Sequence, residues 1–304
     1  MVTRPVVVGV DGSEESLQAV EWAAQEAERH ACPLRIVSAP AAIPRIRGHH
    51  ASAQTVGIAL RGASERALEA AVARSGELAP GLSVTTGLLS GPPALAIAES
   101  GADAAMLVVG ARGAGGFAAM LLGSVSRYAA TRAACPVIVV RQETMAVHRE
   151  IAAGIRDPYD VPGTLAFAFE EAARRGADLV AVHAWSWFPA ALRRAGAQAG
   201  APADPEQITA EADRALTAAL EEWRDKYPGV RVRTDVIRGH PGRVMASYSA
   251  RADLVVLGRR SSLGLAAPGS LGNVSPGVGS ILHAVLDHAH GPVAVVPSVT
   301  ADSR

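Results

Sequence analysis

Lysine is almost missing from this chain: Lys226 is the only one, and arginine carries nearly all of the positive charge. An activity that needs a lysine, such as a Walker-type phosphate clamp or a Schiff base, therefore has one candidate at most. Aromatic residues are scarce too, at 4% of 304 residues. Alanine, valine, leucine and glycine must build the core, as suits small helices lying close on a parallel sheet. Neither sign of charge is in excess, because 29 basic side chains meet 29 acidic ones. No global basic field exists to hold nucleic acid, and no nucleic-acid partner is expected. Cys32 and Cys135 are the only cysteines, too few for a disulfide framework. The amino-terminal stretch MVTRPVVVGVDGS lacks a signal-peptide layout, since its apolar run stops at Asp11. The longest apolar passage elsewhere, LVAVHAWSWFPAAL, is well short of a membrane span. A soluble, cytoplasmic protein with no membrane partner is expected.

What is present is present twice. PVVVGVDGSEESLQAVEWAAQEAERHACPLRIVSA near the start matches EIAAGIRDPYDVPGTLAFAFEEAARRGADLVAVHA near the middle. Gly9 to Trp22 and Gly154 to Phe167 are equally spaced, and the alignment runs ungapped to Ala39 and Ala184. GPPALAIAESGADAAMLVVG matches GHPGRVMASYSARADLVVLG, and GSVSRYAATRAACPVIVV matches GSILHAVLDHAHGPVAVV. Two copies of one domain follow each other, 1–143 and 148–300, joined near 142–148.

Each copy has the same grammar. In the first, VVVGV reads as a fully apolar strand of a parallel sheet. A helix begins near Glu14, with Ser13 as N-cap and two acidic residues at its positive end. Strand LRIVSA, a helix near 61–78, strand LSVTTG and a helix opening at GPPA follow. Strand MLVVG, a glycine loop, a helix from about Gly123 and strand PVIVV close the copy. Such alternation predicts an α/β fold with a parallel sheet covered on both faces. With strand order 3-2-1-4-5, the loops after strands one and four flank the crevice where the winding reverses. The cysteines then fall on strands two and five, too far apart to bridge, as small buried residues.

The loop GARGAGGFAAMLLGS, residues 110–124, carries glycines at 110, 113 and 123 followed by Ser124. Two readings fit this spacing equally. Glycines let backbone approach a phosphate closely, and a helix start offers free N–H groups, with Ser124 and Ser126 adding hydroxyls. Alternatively, Gly110 and Gly113 permit a turn and Gly123 starts a helix. Arg112 either reaches a phosphate or lies in solvent. Asp11 is either a ligand for a hydroxyl or the first residue of an ordinary Asp-Gly turn.

The spacing G-x2-G-x9-G-[ST], after VVGVDGS and before CPVIVV, resembles the universal stress protein family. EEWRDKYPGV and the RGHP turn are similar to its tandem actinobacterial members. The resemblance covers both halves. It implies two tandem Rossmann-like domains of the adenine nucleotide alpha hydrolase-like kind, each with five parallel strands in order 3-2-1-4-5 and helices on both faces. It also implies pairing of domains through the last strand, an internal pseudo-dimer, with a homodimer as a further option. Members with the complete glycine motif typically bind ATP. Carried onto this chain, Val10, Asp11 and the backbone of Ala39 take the adenosine. Val109, Gly110, Gly113, Gly123, Ser124, Val125 and Ser126 take the phosphates, with magnesium as an optional companion. Such a protein acts in the stress response through its nucleotide state and partners. Alternatives are a slow magnesium-dependent ATPase using Asp11, a sensor of AMP or cyclic AMP, and a structural dimerisation protein with empty crevices.

The second copy departs from the motif. Arg156 replaces Asp11, with Asp157 one place later, and Ser261 replaces Gly113. The segment between Gly258 and Gly279 is eight residues longer than its counterpart, while Gly279 and Ser280 stay in register with Gly123 and Ser124. Weak or absent ATP binding is expected there. No GxxxxGK[ST], GxSxG or HExxH occurs, so no catalytic residue and no metal ligand is assigned. His49 and His50 beside Arg45 and Arg47 read as a solvated loop. His240 reads as part of a helix start, and His283, His288 and His290 as surface residues of one helix. AEADRALTAALEEWRD reads as an amphipathic helix.

Overall fold

The structure, a computed structural model, describes residues 3–41, 50–114, 122–141, 147–156, 162–186, 204–259 and 278–297. The chain divides into two compact units, Met1–Gln142 and Glu143–Arg304. In the first, β1 (Val6–Gly9), β2 (Leu34–Ser38), β3 (Val84–Leu88), β4 (Met106–Gly110) and β5 (Val137–Val140) alternate with four helices. These are α1 (Glu14–Arg29), α2 (His50–Leu78), α3 (Pro93–Glu99) and α4 (Ser124–Arg132). All strand pairs are parallel, in order β3-β2-β1-β4-β5. The central strands are apolar throughout because both of their faces are covered. Val6, Val7, Val8, Leu107 and Val108 are wholly buried. α1 packs on α2 and α3 on α4, which places helices on both faces. Alanines 19, 23, 24 and 27 line the buried side of α1, so small side chains let this helix lie close to the strands.

The second unit repeats the order. β6 (Glu150–Gly154), β7 (Asp178–Trp185), β8 (Val232–Arg238), β9 (Leu254–Arg259) and β10 (Val293–Pro297) form parallel pairs in the order β8-β7-β6-β9-β10. Its helices are α5 (Pro162–Arg175), α6 (Pro205–Lys226), α7 (Pro241–Tyr248) and α8 (Val278–His288). The strand order 3-2-1-4-5 thus holds in each unit. α6 is the amphipathic segment, and Phe169, Trp223 and Tyr227 stack where it meets α5.

The repeat extends to fine backbone detail. α1 ends with Ala31 N–H on the Glu28 carbonyl and Cys32 N–H on the Ala27 carbonyl. α5 ends in the same way, with Gly176 on Ala173 and Ala177 on Ala172. Both turns need a left-handed residue, Ala31 at φ 49 and Gly176 at φ 60. Three boundaries differ from expectation. α2 begins earlier, at His50, because the chain before position 61 continues the helix. Cys32 and Cys135 are buried and form no disulfide, but each stands two residues ahead of its strand. His290 lies beyond α8, which stops at His288. Among the described residues, no helix is long and apolar enough to cross a membrane.

Candidate functional site

In the first unit, β1 and β4 are neighbours, with Gly9 opposite Val109, so the loops that follow them meet at one end of the sheet. Val10 is pinned there by two bonds. Its N–H donates to the Val37 carbonyl at 2.8 Å, and its carbonyl accepts the Ser38 hydroxyl at 2.8 Å. The chain then turns sharply through Gly12, at φ +85, into α1. This fixes Asp11 just beyond the carboxyl end of the central strand, exposed, with its carboxylate facing the glycine loop.

That carboxylate is heavily used. Oδ1 accepts the Ser13 N–H at 3.0 Å and the Ser13 hydroxyl at 2.6 Å. Oδ2 accepts the N–H of Ala114, in the glycine loop, at 2.8 Å. A β-carbon built on Gly113 would lie 2.3 Å from Oδ2, so only glycine permits this approach. Asp11 and Gly113 are therefore brought together. Ser13 also caps α1, its Oγ accepting the Ser16 N–H at 3.2 Å.

The other glycines have distinct tasks. Gly110 is buried at the end of β4, where a β-carbon would stand 2.7 Å from the Glu15 carbonyl, so the start of α1 lies against it. Gly123 is the N-cap of α4, and its N–H donates to the Ala111 carbonyl at 2.8 Å. Among the described residues no side chain caps α4, so the N–H groups of its first turn lack intrahelical acceptors. Ser124 is exposed and Val125 half-buried at this helix start. Ser126 is buried, and its hydroxyl donates to the Gly110 carbonyl at 2.6 Å. Its proton holds the loop's entrance to its exit. Ala39 is half-buried just past the end of β2.

Two features were not read from the sequence. Arg112 is exposed, as one of its two readings has it, and it pairs there with Glu15 on α1 at 2.9 Å. Ser38 and Ala114 supply donors to the crevice walls. No residue pattern singles out Ser38, because β2 also holds Arg35 and the matching strand β7 runs past the equivalent position to Trp185. The counterpart of Ser38, His183, carries the same bond, with Nδ1 donating to the Ile155 carbonyl at 2.8 Å.

The second unit keeps this frame and changes the lining. The Ile155 N–H donates to the Val182 carbonyl at 2.8 Å, as Val10 does to Val37. Arg156 stands exposed where Asp11 would be. Ile281 and Leu282 stand in the places of Val125 and Ser126 on α8. His240 caps α7, which begins at Pro241. Asp157, Ser261, His49, Arg45 and Arg47 lie outside the described residues, as do the side chains of His50 and Ser280.

Known proteins bear on this arrangement. The model of the universal stress protein family matches residues 3–141 and again 151–297. Universal stress protein Rv2005c of Mycobacterium tuberculosis is 34% identical over 297 residues, covering 95% of this chain and 96% of its own. Universal stress protein Rv2623 of the same organism is 30% identical over 307 residues, covering 95% of each chain. The crystal structure of a universal stress protein from Archaeoglobus fulgidus superposes with a TM-score of 0.67 at 15% identity, over 99% of this chain and 98% of that one.

Proposed function

This chain belongs to the universal stress protein family as a tandem member, and from that premise we propose that its first domain is an adenine-nucleotide site that takes ATP. The second domain does not share that ligand. The observation that carries the proposal is the closure of Asp11 on the Ala114 N–H, with Gly113 bare beside it and the uncapped start of α4 behind.

The bonding inventory sets the roles. A carboxylate offers about four acceptor positions. Three are filled, two by Ser13 and one by Ala114, so Asp11 keeps one for a ligand hydroxyl. That suits the ribose. Val10 and the backbone at Ala39 form the apolar floor for the base, next to Val109. The phosphates sit along Gly110, Gly113 and Gly123 and draw on the N–H groups of Ser124 and Val125 at the positive end of α4. Ser126 works indirectly, holding the loop through the Gly110 carbonyl.

Charge argues for a companion cation. Arg112 is already paired with Glu15, and the loop's other described residues are neutral. A triphosphate there retains much of its charge unless magnesium binds with it. Nucleotide occupancy would change the bond between Asp11 and Ala114 and so the surface of the two loops. Partner regulation in the stress response follows from that change.

The test is direct. The purified full chain is denatured, and any released small molecule is identified by chromatography and mass. Recovery of ATP, or a saturable thermal shift with added ATP, is expected. Recovery of nothing, together with no thermal shift at millimolar ATP, overturns the reading.

A further inference from the structure

The two units end their sheets differently. In the second, the outermost strand β8 carries Arg233, Asp235 and Arg238 along its length. Charge of this kind keeps an open strand edge in water and away from other strands. In the first, the outermost strand β3 pairs with β2 alone among the described residues. From Leu82 to Ser90 the chain reads LSVTTGLLS, with no charge and no proline. Thr85 and Thr86, at its middle, are exposed.

The backbone register shows which groups this edge offers. The Ser83 carbonyl accepts the Leu34 N–H at 2.9 Å, and the Leu89 N–H donates to the Ser38 carbonyl at 2.8 Å. Ser83 and Leu89 thus face β2, and the alternation of a parallel pair turns Thr85 and Gly87 the same way. Val84, Thr86 and Leu88 then point their N–H and carbonyl groups outward. Among the described residues, none of these backbone groups has a partner.

The three positions are symmetric about Thr86. A second β3 laid antiparallel across a twofold axis there sets Thr86 opposite itself and Val84 opposite Leu88. Each of the three residues then exchanges both backbone bonds with its mate. The side chains agree, because Val84 meets Leu88 as an apolar pair and the two Thr86 side chains meet each other. A charge beside the axis would repel its own copy, and β3 has none. Val56, Ile58, Val72, Leu78 and Leu95 are the exposed large apolar side chains described in this unit. All five belong to α2 or α3, the helices that precede and follow β3, so apolar surface gathers on the elements beside this edge. A foreign strand would require no such symmetry, which selects a second copy of this chain as the occupant.

We propose that this chain forms a homodimer by antiparallel pairing of β3 with the β3 of a second copy, centred on Thr86. The surface differs from the last-strand pairing that the family resemblance implies. No nucleotide takes part, so the dimer and the ATP site stand or fall separately.

Sedimentation velocity of the full chain at high micromolar concentration should give twice the chain mass. Thr86→Lys brings two ammonium groups together at the axis and should weaken association by at least about tenfold. Thr86→Val keeps the main-chain bonds and should leave association unchanged. Thr86→Cys should cross-link into a covalent dimer under mild oxidation, since backbone-bonded antiparallel partners stand ~5.5 Å apart, within disulfide reach. Thr85→Cys lies diagonal to its own mate, at ~7–8 Å, and should cross-link little. Cys32 and Cys135 are buried, so the unaltered chain is the blank. The exposed positions keep all of these variants folded. A monomer at these concentrations, association indifferent to Thr86→Lys, or equal cross-linking at positions 85 and 86 overturns the proposal. So does cross-linking of Thr86→Cys in cell extract to a different protein in place of its own copy.

Discussion

The Asp11 carboxylate and the Ala114 N–H meet at 2.8 Å, although 103 positions separate them in the chain. Gly113 makes this meeting possible, because any side chain there would run into the same oxygen. Gly113→Val should therefore push Asp11 away and weaken ATP binding by at least about tenfold, the loss of one charge-assisted contact. The melting temperature should move little, since Gly113 is partly exposed and outside the core. Calorimetric titration beside a thermal melt checks both parts.

Asp11 has one acceptor position left, which we assign to a ribose hydroxyl. Asp11→Ala should lower ATP affinity by about tenfold. Removing the hydroxyl from the ligand should cost a similar factor in the unaltered protein and almost nothing in the variant. The four affinities form a double-mutant cycle. Additive losses would assign Asp11 to loop closure alone.

Ala31 holds a left-handed conformation at φ 49, whereas its counterpart Gly176 does the same at φ 60 without a β-carbon. A left-handed L-residue costs about 1–2 kcal/mol, part of which glycine returns as unfolded-state entropy. Ala31→Gly should raise stability by about 0.5–1 kcal/mol in urea denaturation. Gly176→Ala should lower it by a similar amount.

The phenol of Tyr248 is buried and donates its hydroxyl proton to Asp235. Burial first, and then the bond to the Asp235 carboxylate, push its pKa up to about 12 from 10.0. A proton held more tightly in the folded state stabilises it while the unfolded phenol is still protonated. The contribution should be complete below about pH 10 and disappear as pH rises toward 12. Denaturation measured across this range should show the loss, and Tyr248→Phe should remove that part of the pH dependence.

The fold was legible from the sequence because the domain is written twice. Runs such as VVVG and MLVV have no polar face, so they must be covered on both sides, and the helices between them leave only parallel pairing. The meeting of Asp11 with the glycine loop followed from strand order. Details set by side-chain direction were not legible. Arg112 was read as facing a phosphate or solvent; it is exposed, but its ion pair with Glu15 of α1 was not foreseen. Ser126 was read as a phosphate donor, yet helical geometry turns its hydroxyl inward to the Gly110 carbonyl. His290 was placed in the last helix, which ends at His288 before the glycine preceding β10.

Isothermal calorimetry of the nucleotide-stripped full chain with ATP and magnesium tests the central claim most directly. The account predicts one ATP per chain, lost in Gly113→Val and kept in Arg156→Gln. Two equivalent sites, no binding, or binding that survives Gly113→Val would contradict it.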